Sequence, residues 1–229
     1  NAFTYKEEWV SKDVSAGPAA GGSMVTLAGD GFNVFEHYHD ALVNYKCVFC
    51  LALECVSSHA DTISHNQVVC LTPQWPFAAA NVQFSVQKAM DDEGAANVLV
   101  YEGSPDPQDA DLFFEFREGV VGVLGHSTFS AAGELSSMPN IVQVQGFGFM
   151  QNASDYVCSF AFKSYNSSAV VISHNLMQCA VPAIGLVEAI GGKEDGLPVV
   201  SLQATVAILH SGILLDESNV LVAMVSTWY

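Results

Sequence analysis

Apolar residues along this chain come in short runs broken by Gly, Pro, Asn, Asp or Ser, and no stretch keeps a 3.6-residue period for three turns. The runs Ser23–Ala28, Gln67–Leu71, Asn81–Val86, Asn97–Tyr101, Ile141–Val144, Ala169–Ile172 and Val199–Ile208 are rich in Val, Ile, Leu and Phe. Such runs, bounded by turn formers, predict strands. Many short strands with frequent turns predict an all-β chain of sandwich modules.

The pattern also repeats. Y-K-C-V-F (Tyr45–Phe49) and I-S-H-N-Q-V-V-C-L-T-P (Ile63–Pro73) return as Y-V-C-S-F (Tyr156–Phe160) and I-S-H-N-L-M-Q-C-A-V-P (Ile172–Pro182). Cys47 matches Cys158, Cys70 matches Cys179 and His65 matches His174, at an offset of about 110 residues. That offset is the size of a domain, not of a solenoid repeat. Near the start, Phe3-Thr4-Tyr5-Lys6-Glu7 is matched by Phe114-Glu115-Phe116-Arg117-Glu118. Residues 1–10 therefore read as the last strand of a preceding repeat, 11–118 as a first module and 119–229 as a second, its end entering a following element. Lys6, Glu7 and Glu8 sit where a signal peptide needs an apolar core. The expectation is an internal piece of a longer secreted array.

The opening G-P-A-A-G-G-S-M-V-T-L-A-G-D-G-F (Gly17–Phe32) resembles that of IPT/TIG domains. These immunoglobulin-like modules occur in plexins, hepatocyte-type growth-factor receptors, fibrocystin-like surface proteins and Rel-type transcription factors. Their pattern runs from a Pro/Gly turn to G-x-G-F, a cysteine strand, and a second cysteine shortly before a proline. Gly29, Gly31, Phe32, Cys47, Cys70 and Pro73 fit it, as do Gly146, Gly148, Phe149, Cys158, Cys179 and Pro182. The second module departs at its opening, with Ser127–Pro139 in place of G-P-x-x-G-G. The resemblance implies tandem IPT/TIG β-sandwiches. It says little about function, because the fold serves many roles.

Six cysteines are present. The repeat assigns Cys47–Cys70 and Cys158–Cys179 as equivalent disulfides and leaves Cys50–Cys55 as a pair private to the first module. Two alternatives stay open: reduced thiols in a cytosolic protein, or a zinc knuckle built on Cys47-x2-Cys50 with Cys55, His59, His65 and Cys70. Ala161 stands opposite Cys50 in the second copy, which weighs against a four-ligand site. Asn152-Ala153-Ser154 and Asn166-Ser167-Ser168 are glycosylation sequons.

Charge narrows the partners. Seven Lys and Arg against 24 Asp and Glu give −17, which disfavours nucleic acid and anionic membrane surfaces. Charged residues are 14% of the chain and apolar ones 50%, whereas about 25% charged is usual. Either a β-rich composition or burial between modules accounts for this. No apolar run is long enough to span a membrane; Val206–Leu215 is broken by His210, Ser211 and Gly212.

Motifs for chemistry are sparse. His37 and His39 flank Tyr38 beside Asp40, a weak surface-metal pattern. His65 and His174 recur together and read as structural, bonding backbone at a strand start, since catalysis is not expected in both repeats. His59, His126 and His210 read as isolated. Acidic groups lie at Asp91-Asp92-Glu93, at Asp106, Asp109 and Asp111, and at Glu194-Asp195. The Asp106–Asp111 spacing is the best calcium candidate, although no EF-hand spacing exists and solvated loops are the default reading of such clusters. No nucleophile elbow, P-loop or H-E-x-x-H occurs, and Arg117 is the sole arginine.

The expected function is a non-catalytic, cofactor-free extracellular structural or adhesion segment, on a cell or ciliary surface or in a filament. Its expected partners are neighbouring repeats, other copies or other extracellular proteins. Candidate contact aromatics are Phe3, Tyr5, Trp9, Trp75, Phe77, Trp228 and Tyr229, for which ordinary core or inter-module packing is the competing reading. The alternatives are a receptor ectodomain stalk binding a protein ligand and an accessory module of a polysaccharide-acting enzyme.

Overall fold

A computed structural model describes residues 7–32, 43–90, 97–98, 100–101, 110–124, 141–160, 165–180, 200–215 and 220–226. The chain divides into two compact units, Asn1–Arg117 and Glu118–Tyr229. Apart from one short 3-10 turn, Ala110–Leu112, every regular element among the described residues is a strand.

The first unit comprises β1 (Glu8–Lys12), β2 (Ala16–Pro18), β3 (Met24–Asp30), β4 (Val43–Leu51), β5 (Glu54–Ser64), β6 (Gln67–Leu71), β7 (Ala80–Met90), β8 (Asn97–Val98), β9 (Val100–Tyr101) and β10 (Phe113–Arg117). Their order is β2-β10-β7-β4-β5-β6-β3-β1-β9, with β8 against β7. One long strand joins two sheets. β5 pairs with β4 from Glu54 to Ala60, then with β6 from Ala60 to Ser64. Ala60, at the crossing, is buried. Residues Glu8–Val10, which the sequence assigns to a preceding repeat, pair with β3 and β9 inside this unit.

The second unit comprises β11 (Gly119–Leu124), β12 (Ile141–Phe147), β13 (Tyr156–Phe160), β14 (Tyr165–Ser173), β15 (Leu176–Ala180), β16 (Val200–His210), β17 (Ile213–Leu214) and β18 (Val220–Ser226). The order β11-β12-β15-β14-β13-β16-β17 repeats the plan, with β18 against β16. Here β14 crosses, pairing with β13 from Tyr165 to Ser168 and with β15 from Ala169 to Ser173.

Alternation builds each core. β3 and β6 show every second residue buried, with Val25, Leu27, Val68 and Cys70 inside, as a pleated strand with one covered face requires. Phe49 sits at the centre of the first core, its ring edge-on to Phe84, Phe114 and Phe116 at 5.2, 5.3 and 5.4 Å. These separations suit the aromatic quadrupole. Trp75 stacks on Phe116 at 4.8 Å. The second core gathers Val142, Val144, Phe149, Tyr156, Phe160, Met177, Val206 and Ile208 around Cys158 and Cys179.

Candidate functional site

Two sequence motifs that recur together are bonded to each other. In the first unit Gly31 takes φ 79° and turns the chain so that Phe32 is buried under the sandwich. The hairpin Ser64-His65-Asn66 receives that turn. Phe32 N–H donates to the His65 carbonyl at 2.9 Å, and Gly29 N–H donates to the Asn66 carbonyl at 3.0 Å. His65 Nδ1 lies 3.1 Å from the Phe32 carbonyl, which only accepts, so Nδ1 carries the proton. The second unit repeats each bond: Phe149 N–H to the His174 carbonyl at 2.9 Å, Gly146 N–H to the Asn175 carbonyl at 3.0 Å, and His174 Nδ1 to the Phe149 carbonyl at 2.9 Å. Gly148 takes φ 77°. The first glycine is needed for space: a Cβ at Gly29 collides with the Glu8 carbonyl oxygen and the Phe32 ring, and one at Gly146 with the Phe149 ring and the Gly119 carbonyl oxygen. The paired histidines are clamps on the backbone.

The cysteines form three disulfides, Cys47–Cys70, Cys50–Cys55 and Cys158–Cys179, with none free. Cys47 on β4 and Cys70 on β6 pair with β5 at Ser58 and Ala60, so their bridge ties the sandwich where β5 crosses. Cys158 on β13 and Cys179 on β15 do the same beside β14. All four are buried. With every sulfur bonded, none of these cysteines is a zinc ligand here. Cys50 and Cys55 are direct register partners in the β4–β5 hairpin. Between them Ala52 takes φ 55°, and Leu53 is 98% exposed.

A polar cluster in the second unit was not legible as one. His210, at the end of β16, lies between two carboxylates: Nδ1 is 2.8 Å from Glu118 Oε2 and Nε2 is 3.2 Å from Asp155 Oδ1. Tyr156 stacks on the imidazole with ring centroids 4.2 Å apart. Its hydroxyl accepts from Met150 N–H at 2.8 Å and donates to Glu118 Oε1. Burial, then the bond to Glu118, pushes the phenol well above its ordinary value. Asp155 is held below the usual carboxylate range, first by the Ser211 hydroxyl that donates to it, with the charge of His210 adding. The expected isolation of His210 is thus corrected.

One outer sheet face recurs as an exposed apolar surface. In the first unit Val10, Met24, Ile63 and Leu71 point outward from β1, β3, β5 and β6. The repeat aligns the first three with Val121, Ile141 and Ile172, outward on β11, β12 and β14. Val170 adds to the second face, where the first unit has Asp61. β11, β12, β14 and β15 contain no Asp, Glu, Lys or Arg at all. Sequence alternation marks these strands but does not say that their outward positions stay apolar.

The remaining candidates separate. Asn152 lies exposed in a turn and Asn166 lies exposed on β14. Trp9 and Trp75 are buried, so they are core residues and not surface contacts, and Trp75 Nε1–H donates to the Ala78 carbonyl at 2.8 Å. Phe77 is half-buried against Trp75. Phe3, Tyr5, Trp228, Tyr229, His37, His39, His126, Asp91–Glu93 and Glu194-Asp195 lie outside the described residues. So do Asp106 and Asp109 of the calcium candidate. Its third member, Asp111, faces the buried Lys12 ammonium at 3.7 Å and accepts from Lys12 N–H at 3.3 Å and Tyr101 O–H at 3.4 Å. It is committed to a lysine. His59 pairs with exposed Asp61 at 3.2 Å. Among the described residues no group of three or more His, Cys, Asp or Glu is arranged to hold a metal, and no helix is long and apolar enough to cross a membrane.

These features define two disulfide-tied immunoglobulin-like sandwiches. Residues 10–100 match the family model of the IPT/TIG domain. No curated protein matches the chain significantly in sequence. Among solved structures, it is similar to the full extracellular region of plexin A4 in two crystal forms. One, spanning domains 1 to 10, is 14% identical with a TM-score of 0.32, covering 93% of this chain and 16% of that one. The other, with domains 1 to 8, is 13% identical with a TM-score of 0.33, covering 93% and 26%. The FN1–FN3 domains of chicken CNTN1 follow at 10% identity and a TM-score of 0.24, covering 96% and 66%. The chain spans less than two thirds of each of these structures. Likeness at this level says nothing about what this chain binds.

Proposed function

We propose that this chain is a non-catalytic extracellular structural segment, two consecutive TIG-type sandwiches that assemble with further copies of themselves. Three disulfides support the extracellular setting, because such bonds persist in oxidising compartments. The observation that carries the assembly reading is the uncharged outer face of the β11-β12-β15-β14 sheet. At −17 the chain repels its own copies over most of its surface. Contact between copies therefore favours a face with no like charges to bring together. Ile141, Val170 and Ile172, exposed by 39, 60 and 47%, supply the apolar area there.

Sedimentation velocity over a wide concentration range tests this. The sedimentation coefficient should rise with concentration, and an Ile141→Lys/Val170→Lys variant should sediment as a monomer throughout. A native chain that stays strictly monomeric at the highest concentration, or a variant that associates as before, overturns the reading.

A further inference from the structure

The two units carry the same half-buried ion pair with one residue exchanged. In the first, Lys88 on β7 lies opposite Tyr45 in register, and its ammonium meets Glu7 at 2.5 Å. In the second, His210 on β16 lies opposite Tyr156, and its Nδ1 meets Glu118 at 2.8 Å. Two independent sequence matches make these positions equivalent. Tyr45 and Tyr156 open the Y-x-C-x-F strands, and Glu7 and Glu118 close the Phe3–Glu7 and Phe114–Glu118 segments. An ammonium in one repeat is thus an imidazole in the next.

We propose that the Glu118–His210–Asp155 cluster is a proton-operated latch in the second unit, closed when the imidazole is protonated and weakened when it is neutral. The geometry requires the proton. Both ring nitrogens face carboxylate oxygens, Glu118 on one side and Asp155 on the other. A neutral imidazole has one N–H and must turn a lone pair toward one of those carboxylates; only the imidazolium donates to both. The charged and titratable groups facing it among the described residues are Glu118 from the start of the unit, Asp155 from the turn before β13 and Tyr156 from β13. Ser211 acts through Asp155, and Ile213 of β17, opposite His210 in register, carries no charge. Glu118 is only 6% exposed, so water does little to replace the lost partner. The latch holds while the imidazole carries a proton on both ring nitrogens and is lost when one of them leaves. In the first unit a single ammonium meets a single carboxylate and no imidazole is present, so that unit has no such dependence.

Hydrogen–deuterium exchange of the whole chain at about pH 5.5 and about pH 8, corrected for intrinsic rates, reads each unit separately. Segments around Glu118, Tyr156 and His210 should lose about tenfold in protection at the higher pH, and those around Glu7, Tyr45 and Lys88 should not. His210→Lys should abolish the change, and Asp155→Asn, which leaves the imidazole a single carboxylate, should shrink it. Equal protection of the second unit at both pH values, or a change that persists in His210→Lys, overturns the latch. If His210→Lys fails to fold, an Asp155→Asn chain whose pH dependence is undiminished overturns it as well.

Discussion

Removing the inter-sheet bridge of the first unit should cost about twice as much as removing its hairpin bridge. Cys47 and Cys70 are 23 residues apart, Cys50 and Cys55 only 5. Loop-closure entropy then assigns about 3.4 kcal/mol to the first pair and about 2.1 kcal/mol to the second. Burial widens the gap. Cys47 and Cys70 are 0 and 2% exposed, so alanines there also leave a small cavity, adding about 1 kcal/mol. The hairpin pair sits at the surface, and its loss relaxes Ala52, whose left-handed conformation costs about 1 kcal/mol. Cys47→Ala/Cys70→Ala should therefore lose about 4 kcal/mol, and Cys50→Ala/Cys55→Ala about 2 kcal/mol or less. Urea unfolding followed by tryptophan emission suits the comparison, because Trp9 and Trp75 are both buried in this unit. If the hairpin variant proves as costly as the inter-sheet one, the crossing at β5 is not the principal constraint on the sandwich, and the reading of the bridges fails.

Gly146→Ala should destabilise the second unit by about 1–3 kcal/mol, since its Cβ meets the Phe149 ring and the Gly119 carbonyl. Gly122→Ala, also in that sheet but with nothing within 4 Å of its Cβ, should be neutral or stabilise by up to about 1 kcal/mol; thermal unfolding compares the two. Phe49→Ala should cost the first unit about 3–5 kcal/mol, whereas Leu53→Ser, at a position 98% exposed, should stay within about 0.5 kcal/mol of the native chain in urea unfolding.

Strands with one covered face were legible because burial imposes a period of two. Gln67–Leu71 reads Q-V-V-C-L, and its burial follows the pattern. β5 was not legible. Its sequence E-C-V-S-S-H-A-D-T-I-S is polar, and among its residues only Ala60 is buried. A strand that leaves one sheet for another presents no continuous face to a core, so its hydrophobic signal is cut short at the crossing. For Trp9 and Trp75 the sequence does not separate core from contact, for a related reason. Composition marks an aromatic residue near a unit's end, but only the fold shows whether a sheet closes over it.

The polar cluster shows why long-range chemistry escapes a linear reading. Glu118 and His210 are 92 residues apart, and no local motif joins them. The repeat does hold the signal, obscured by an insertion: Lys88 stands 18 residues after Cys70, while His210 stands 31 after Cys179. Strand pairing removes the ambiguity, because Tyr45 opposes Lys88 as Tyr156 opposes His210.

What the two copies share and what they do not share therefore separate by physical role. The shared features come as bonded pairs: G-x-G-F with S-H-N, a cysteine on one sheet with a cysteine on the other, a crossing strand between them. Losing one member leaves a buried donor, a void or an open sheet edge, so each pair is held together by the fold itself. The features that differ are free of that coupling. Asp61 against Val170 changes the charge of an outer face, the Cys50–Cys55 bridge stiffens one hairpin tip, and Lys88 against His210 puts an imidazole in place of an ammonium in one ion pair. None of the three is needed for the sandwich, since the other copy folds without it. They are the positions where one unit is able to take on a property that its neighbour lacks.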